Sequence, residues 1–123
     1  DYLNKWGNRQ FLFDHVTKKK YRINMLEHIK KLQNYGVGEI ILNCVNNDGL
    51  MDGLDIETLK QIHESSDVPL IACGGAGTIS DLKDAESAGA SGIAAGSMFV
   101  YFGKQKGILI NYPKETSLRD NLR

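Results

Sequence analysis

The sequence predicts an α/β fold built as part of a (β/α)8 barrel, and three observations carry that prediction. Helical and strand-like segments alternate with short connections, which implies parallel strands. The strand-like segments are apolar throughout rather than alternating, as expected where both faces of a sheet are covered. Finally, Leu70–Phe99 reads LIACGGAGT, a short helical segment, then GASGIAAGSMF. These are two successive strand-to-helix turns stripped of side chains, and the loops after the last two strands of such a barrel commonly form a phosphate site. The chain has 123 residues, far short of the roughly 250 of a complete barrel. It therefore reads as one C-terminal half-barrel segment: a hairpin and loop over 1–22, βα units over 23–112 and a tail over 113–123.

The elements follow in order. Gly7-Asn8 lies between Tyr2–Trp6 and Gln10–Phe13, which predicts a β-hairpin turn. The basic run Lys18–Lys20 reads as a solvated loop. Asn24 with Glu27 resembles a capping box and starts a helix whose Met25, Ile29 and Leu32 share a face, with Gly36 as its left-handed cap. Glu39–Asn43 is an apolar strand, followed by the turn-rich NNDGLMDG. Asp55 caps a second helix with Ile56, Leu59 and Ile62 on one face. Pro69 opens the strand Leu70–Cys73, Ser80 caps a third helix closed by Gly89, and Gly92–Ala95 is a third strand. Ile108–Tyr112 offers one more apolar segment before a polar terminus. Three parallel strands cannot close a barrel, so their outer edges are expected to be open.

Composition narrows the function classes. Formal net charge is zero, so the basic patch expected of a nucleic-acid partner is missing. No apolar run approaches the length of a membrane span. Cys44 and Cys73 are too far apart for a CxxC pair and read as small apolar residues at strand ends rather than a disulfide or zinc site. The lack of cysteine staples fits a cytoplasmic protein. No cofactor motif emerges. Gly75-Ala76-Gly77 is followed by Ser80 where a dinucleotide fingerprint needs its third glycine.

The candidate chemistry lies at the strand ends. Three glycines in four residues follow Cys73. Gly74 and Gly75 can bring backbone amides close to an anion, although tight-turn duty alone could explain one or two of the three. Gly96-Ser97 offers amides and a hydroxyl to the same anion, or Ser97 serves as a helix N-cap. Asp48-Gly49 is a turn pair by default, and its strand-end position makes it a candidate for contact with substrate phosphate or hydroxyls. Glu39 opens its strand at the opposite end, where a carboxylate is usually paired or solvated. His15, His28 and His63 are scattered and suggest no catalytic role.

GVGEIILNCVNNDGLMDGLD, PLIACGGAGT and GASGIAAGSMF resemble the cyclase subunit of the imidazole glycerol phosphate synthase family, and the resemblance covers nearly the whole chain. The tail GKQKGILINYP is more similar to a sub-branch linked to amidation of bacterial surface sugars. The resemblance implies a (β/α)8 barrel of two similar halves, with a glutaminase partner docked at its bottom. Ammonia crosses the barrel and meets a substrate phosphorylated at both ends, a ribotide-type bisphosphate. An imidazole ring closes and an aminoimidazole carboxamide ribotide is released. Carried over, the phosphate contacts fall on Asp48, Gly49, Gly75, Gly96 and Ser97, with Gly74 beside them. Glu39 matches the glutamate of the ammonia gate, and Asn43 a substrate-proximal residue that is usually threonine. Asn46-Asn47 stands where the family commonly has Asp-Arg. The family's catalytic aspartates lie on its first and fifth strands, upstream of this chain, and Asp1 falls just past the fifth. The segment is therefore expected to lack catalytic residues and to be inactive without the missing N-terminal half-barrel.

Overall fold

The computed structural model describes residues 1–5, 9–103 and 105–122. The described residues form three short sheets and five helices. Strands β1 (Tyr2–Lys5), β2 (Arg9–Phe13) and β3 (Lys20–Arg22) form an antiparallel sheet in that order. Then come α1 (Met25–Asn34), β4 (Ile40–Asn43), α2 (Ile56–His63), β5 (Leu70–Cys73), α3 (Ile79–Ser87) and β6 (Gly92–Ala94). Strands β4, β5 and β6 pair in parallel as a central three-stranded sheet. The chain ends with α4 (Ser97–Val100), the two-residue strands β7 (Tyr101–Phe102) and β8 (Gly107–Ile108), and α5 (Glu115–Asn121). No helix among the described residues is long and apolar enough to cross a membrane.

The alternating helices and parallel strands are as the sequence implies, but only one face of the central sheet is covered. Ile40, Leu42, Leu70 and Ala72 are buried against Ile29 of α1, Leu59 and Ile62 of α2, and Leu82 and Ala85 of α3. On the opposite face Ile41 is 57% exposed, and its lateral partner Ile71 is half-buried. The expectation of strands covered on both sides thus fails here. These strands are apolar on both faces, yet the described residues supply helices for only one.

Helix capping explains most boundaries. Asn24 accepts from the Glu27 amide and Asp55 from the Thr58 amide, as the sequence predicts. The third helix starts earlier than predicted. Thr78, not Ser80, is its N-cap, and Thr78 and Asp81 form a reciprocal capping box. Ser80 lies inside the helix because the box two residues upstream satisfies the free amides first. Three further boundaries differ. β4 starts at Ile40 rather than Glu39, the third strand stops at Ala94 rather than Ala95, and Lys20 starts β3 instead of lying in a loop. Only Gly107–Ile108 of the apolar tail is strand, and the polar terminus carries α5. The predicted Gly7-Asn8 turn lies outside the described residues; the strands flanking it pair in register from Tyr2 with Leu12 to Lys5 with Arg9.

The antiparallel sheet is tied to the rest by a polar cluster. Tyr2 Oη donates to Asp55 Oδ2 at 2.9 Å, and Asn4 Nδ2 donates to the same oxygen at 3.0 Å. Gln10 Nε2 reaches the buried Thr58 hydroxyl at 3.5 Å. Tyr2 also bridges Cys44 in parallel, so the upper edge of β4 is partly covered rather than open. Burial, reinforced by the Asp55 carboxylate, pushes the Tyr2 phenol well above its usual range. The folded phenol thus holds its proton where the unfolded one releases it. The resulting stability is complete below about pH 10 and is lost as pH rises further. Denaturant midpoints measured from about pH 8 to 11 should fall more steeply for the wild type than for Tyr2→Phe. Equal slopes would contradict this assignment.

Candidate anion-binding site

Three consecutive strand ends converge on one cavity. β4 leads into the loop carrying Asp48 and Gly49, β5 into Gly74 and Gly75, and β6 into Gly96 and Ser97. All six line a single cavity of ≈ 240 Å³, together with Cys73, Ala76, Ala94 and Ala95. The six candidate phosphate contacts are therefore brought together on one side of the sheet, at the C-terminal ends of its strands.

The loops that form this cavity are locked to each other by close backbone approach. The Gly53 amide donates to the Gly75 carbonyl at 2.9 Å. A Cβ on Gly75 would lie 2.2 Å from the Gly53 oxygen, and one on Gly77 would lie 2.3 Å from the Met51 oxygen. A Cβ on Gly74 would meet the Cys44 oxygen at 2.6 Å. Packing therefore requires all three glycines of the cluster, more than the one or two that turn duty could explain. Gly74 and Gly75 also have φ values of +91° and +108°, which side chains rarely tolerate.

Amides are available at this cavity in a selective pattern. Among the described residues, no backbone carbonyl accepts from Gly49, Gly75 or Ala76. The amides of Gly77 and Thr78 are occupied, both donating to Asp81 Oδ2, at 2.9 and 2.8 Å. The two amides that lead into α3 are thus committed to the carboxylate that caps it. Ser97 is not a helix N-cap either. Gly96 holds that position, with no side-chain capping bond, and Ser97 opens the four-residue α4. Its hydroxyl is therefore not committed to a capping bond.

Charge at the cavity is one-sided. Among the described residues, Asp48 is its only lining carboxylate, and no lysine or arginine lines it. Burial, followed by the nearby Asp48 carboxylate, raises the Cys73 thiol, which keeps it protonated and weakly nucleophilic. Cys44 is buried, and both cysteines are free.

Two other candidates lie on the bare face of the sheet rather than in this cavity. Asn43 ends β4 half-buried, and Glu39 precedes β4 and is exposed. Glu39, Ile41 and Asn43 share one face by strand periodicity, giving a line from the N-terminal to the C-terminal end of the sheet. The structure adds two residues to the upper end that sequence reasoning set aside. Asp1 Oδ1 accepts from Asn43 Nδ2 at 2.8 Å, and Asp1 Oδ2 lies 3.1 Å from His15 Nε2. Nothing in the spacing of Asp1, His15 and Asn43 signals this cluster, because the antiparallel sheet brings it together. Asn43 Oδ1 is buried without a partner among the described residues.

Asn46 and Asn47 are engaged locally. Asn46 Oδ1 accepts from the Asn4 amide at 2.8 Å, and Asn47 Nδ2 donates to the Gly53 carbonyl at 3.2 Å. Both stabilise the loop that carries Asp48 and Gly49.

Comparison with known proteins agrees with the motif resemblance. A family model described as "Histidine biosynthesis protein" matches residues 4–106. A Leptospira interrogans protein named "Putative imidazole glycerol phosphate synthase subunit HisF" is 42% identical over 106 residues, 85% of this chain and 42% of the relative. A Pseudomonas aeruginosa relative with the same name but subunit hisF2 is 41% identical, over 92% of this chain and 45% of its own length. "Imidazole glycerol phosphate synthase subunit HisF" of Pseudoalteromonas translucida is 38% identical, over 83% and 42% respectively. The chain thus spans less than half the length of these relatives. With this match across most of its residues, the chain belongs to the histidine biosynthesis protein family.

Proposed function

We propose that this chain is the C-terminal part of a (β/α)8 barrel cyclase resembling imidazole glycerol phosphate synthase, and that it supplies one of the barrel's phosphate-binding sites. The observation that carries the reading is the convergence of three strand ends on one cavity lined by Asp48, Gly49, Gly74, Gly75, Gly96 and Ser97. Amides of Gly49, Gly75 and Ala76 at its wall have no backbone acceptor, so they suit an anion that brings its own acceptors. Fixed amides position the remote phosphate of a ribotide-type bisphosphate, and the reacting carbon is thereby held where ammonia arrives.

The bare sheet face supports the rest of the reading. In a complete barrel it would face the interior, covered by the N-terminal half. Glu39 would stand at the bottom, where a glutaminase partner docks and ammonia enters, and Asn43 at the top beside the substrate. The products would be imidazole glycerol phosphate and an aminoimidazole carboxamide ribotide. Catalytic acid and base come from outside this segment's site residues, so the segment alone is inactive.

A second reading has a specific observation in its favour. Asn46 and Asn47 are uncharged and spent on the loop, so the mouth lacks the charged pair common in the family. That suits a barrel that delivers ammonia for amidation of a bacterial surface sugar. The complete gene should be placed in a histidine auxotroph lacking the cyclase. Growth without histidine supports the cyclase. Failure of a folded, expressed protein to rescue growth would favour the sugar-linked role.

A further inference from the structure

The tail folds back onto the loop that carries Gly49. After α4, strands β7 and β8 form a hairpin in which Tyr101 pairs with Ile108 and Phe102 with Gly107. Its base is fastened by the Leu109 and Asn111 amides, which donate to the Val100 and Phe99 carbonyls, both at 2.9 Å. The rings of Phe99 and Tyr112 stack with centroids 5.3 Å apart. At the tip, Lys106 adopts a left-handed backbone conformation (φ 49°), which is uncommon for a residue with a side chain. Its Nζ donates to the Gly49 carbonyl at 2.7 Å, across 57 positions of sequence.

We propose that Lys106 is the cationic member of the anion site: the hairpin carries it to the Gly49 peptide, where it fixes the loop and places a positive charge at the cavity rim. The inference rests on the anion-binding reading of the cavity and deepens it. Among the described residues Asp48 alone puts a charge in the cavity lining, and it repels an entering phosphate dianion. Lys106 is the described cation bonded to a residue of the cavity wall, and it offsets that charge. It also holds the Gly49–Leu50 peptide from its oxygen, while the Leu50 amide donates to Asn47 at 3.0 Å. This chain of bonds fixes the turn that presents the Gly49 amide. Lys106 is thus a positioning and charge-supplying residue, and neither strand-end motif reveals it.

The test is titration of the full-length protein with inorganic phosphate by calorimetry, at low and at physiological ionic strength. Lys106→Met keeps most of the side chain's apolar stem and removes its charge, whereas Lys106→Arg keeps the charge. We expect Lys106→Met to weaken phosphate binding about tenfold at low salt and to flatten its salt dependence. Lys106→Arg should stay within about threefold of wild type. Both should melt like wild type, since Lys106 is exposed. Wild-type affinity and salt dependence in Lys106→Met would overturn the proposal while leaving the anion site standing. Equal weakening in both variants would also overturn it, because charge would then not be the cause. If wild-type protein binds no phosphate, the anion-site reading falls and this inference with it.

Discussion

Gly75→Val is expected to dismantle the cavity and to cost the complete protein about 3 kcal/mol of stability. The residue sits at φ +108°, and its added Cβ would lie 2.2 Å from the Gly53 oxygen and 2.8 Å from the Asn47 Cβ. Both contacts are with the loop that presents Asp48 and Gly49, so the loop must move away. Relief of the clash breaks the Gly53–Gly75 hydrogen bond and separates two of the three segments that form the site. Denaturant unfolding should show the loss, and KM for the bisphosphate substrate should rise by at least about tenfold. A variant with wild-type stability would mean that the two loops do not meet as described.

Ser97→Glu is expected to damage binding without damaging the fold. Ser97 lines the cavity at the start of α4, and α4 has no side-chain capping bond to lose. A carboxylate there adds a second negative charge beside that of Asp48, directed at a ligand that is itself anionic. KM should rise by about an order of magnitude or more, equivalent to about 1.4 kcal/mol, while the melting temperature stays close to wild type. The contrast with Gly75→Val separates the two roles of the site. One variant fails through loop packing, the other through charge. An unchanged KM in Ser97→Glu would remove Ser97 from the substrate contacts.

Much of this site is legible in the sequence because its signals are local. A strand followed directly by a glycine cluster marks a close backbone approach wherever it occurs, and Cys73–Gly77 shows it plainly. The helix caps at Asn24 and Asp55 depend on a few neighbouring residues, and they too can be read. Where local signals compete, reading fails. Thr78 and Ser80 are both plausible caps, and the outcome depends on Asp81, which stands three residues after Thr78 and completes the box. The same Asp81 occupies the Gly77 and Thr78 amides, so the carboxylate that stabilises the helix also narrows the set of donors open to an anion.

Non-local relations were the least legible. Asp1, His15 and Asn43 come together only because an antiparallel sheet lays Tyr2 against Cys44. Lys106 reaches Gly49 only because a hairpin forms from short segments with weak strand character. The glycines carry a related lesson. Their clustering suggests a ligand, yet the structure gives each one a packing reason of its own, against Cys44, Gly53 or Met51. Glycine at these positions is needed to build the cavity, and the unpaired amides at its wall are what suit it to an anion.

Amides from three successive strand ends are expected to grip one phosphoryl group. Glycine-selective 15N labelling of the full-length protein allows a direct test by titration with inorganic phosphate. The amide resonances of Gly49, Gly75 and Gly96 should shift together along a single saturable curve, while Gly77, held by Asp81, moves little. Separate curves for the three glycines, or a saturable response confined to glycines far from the cavity, would contradict the claim.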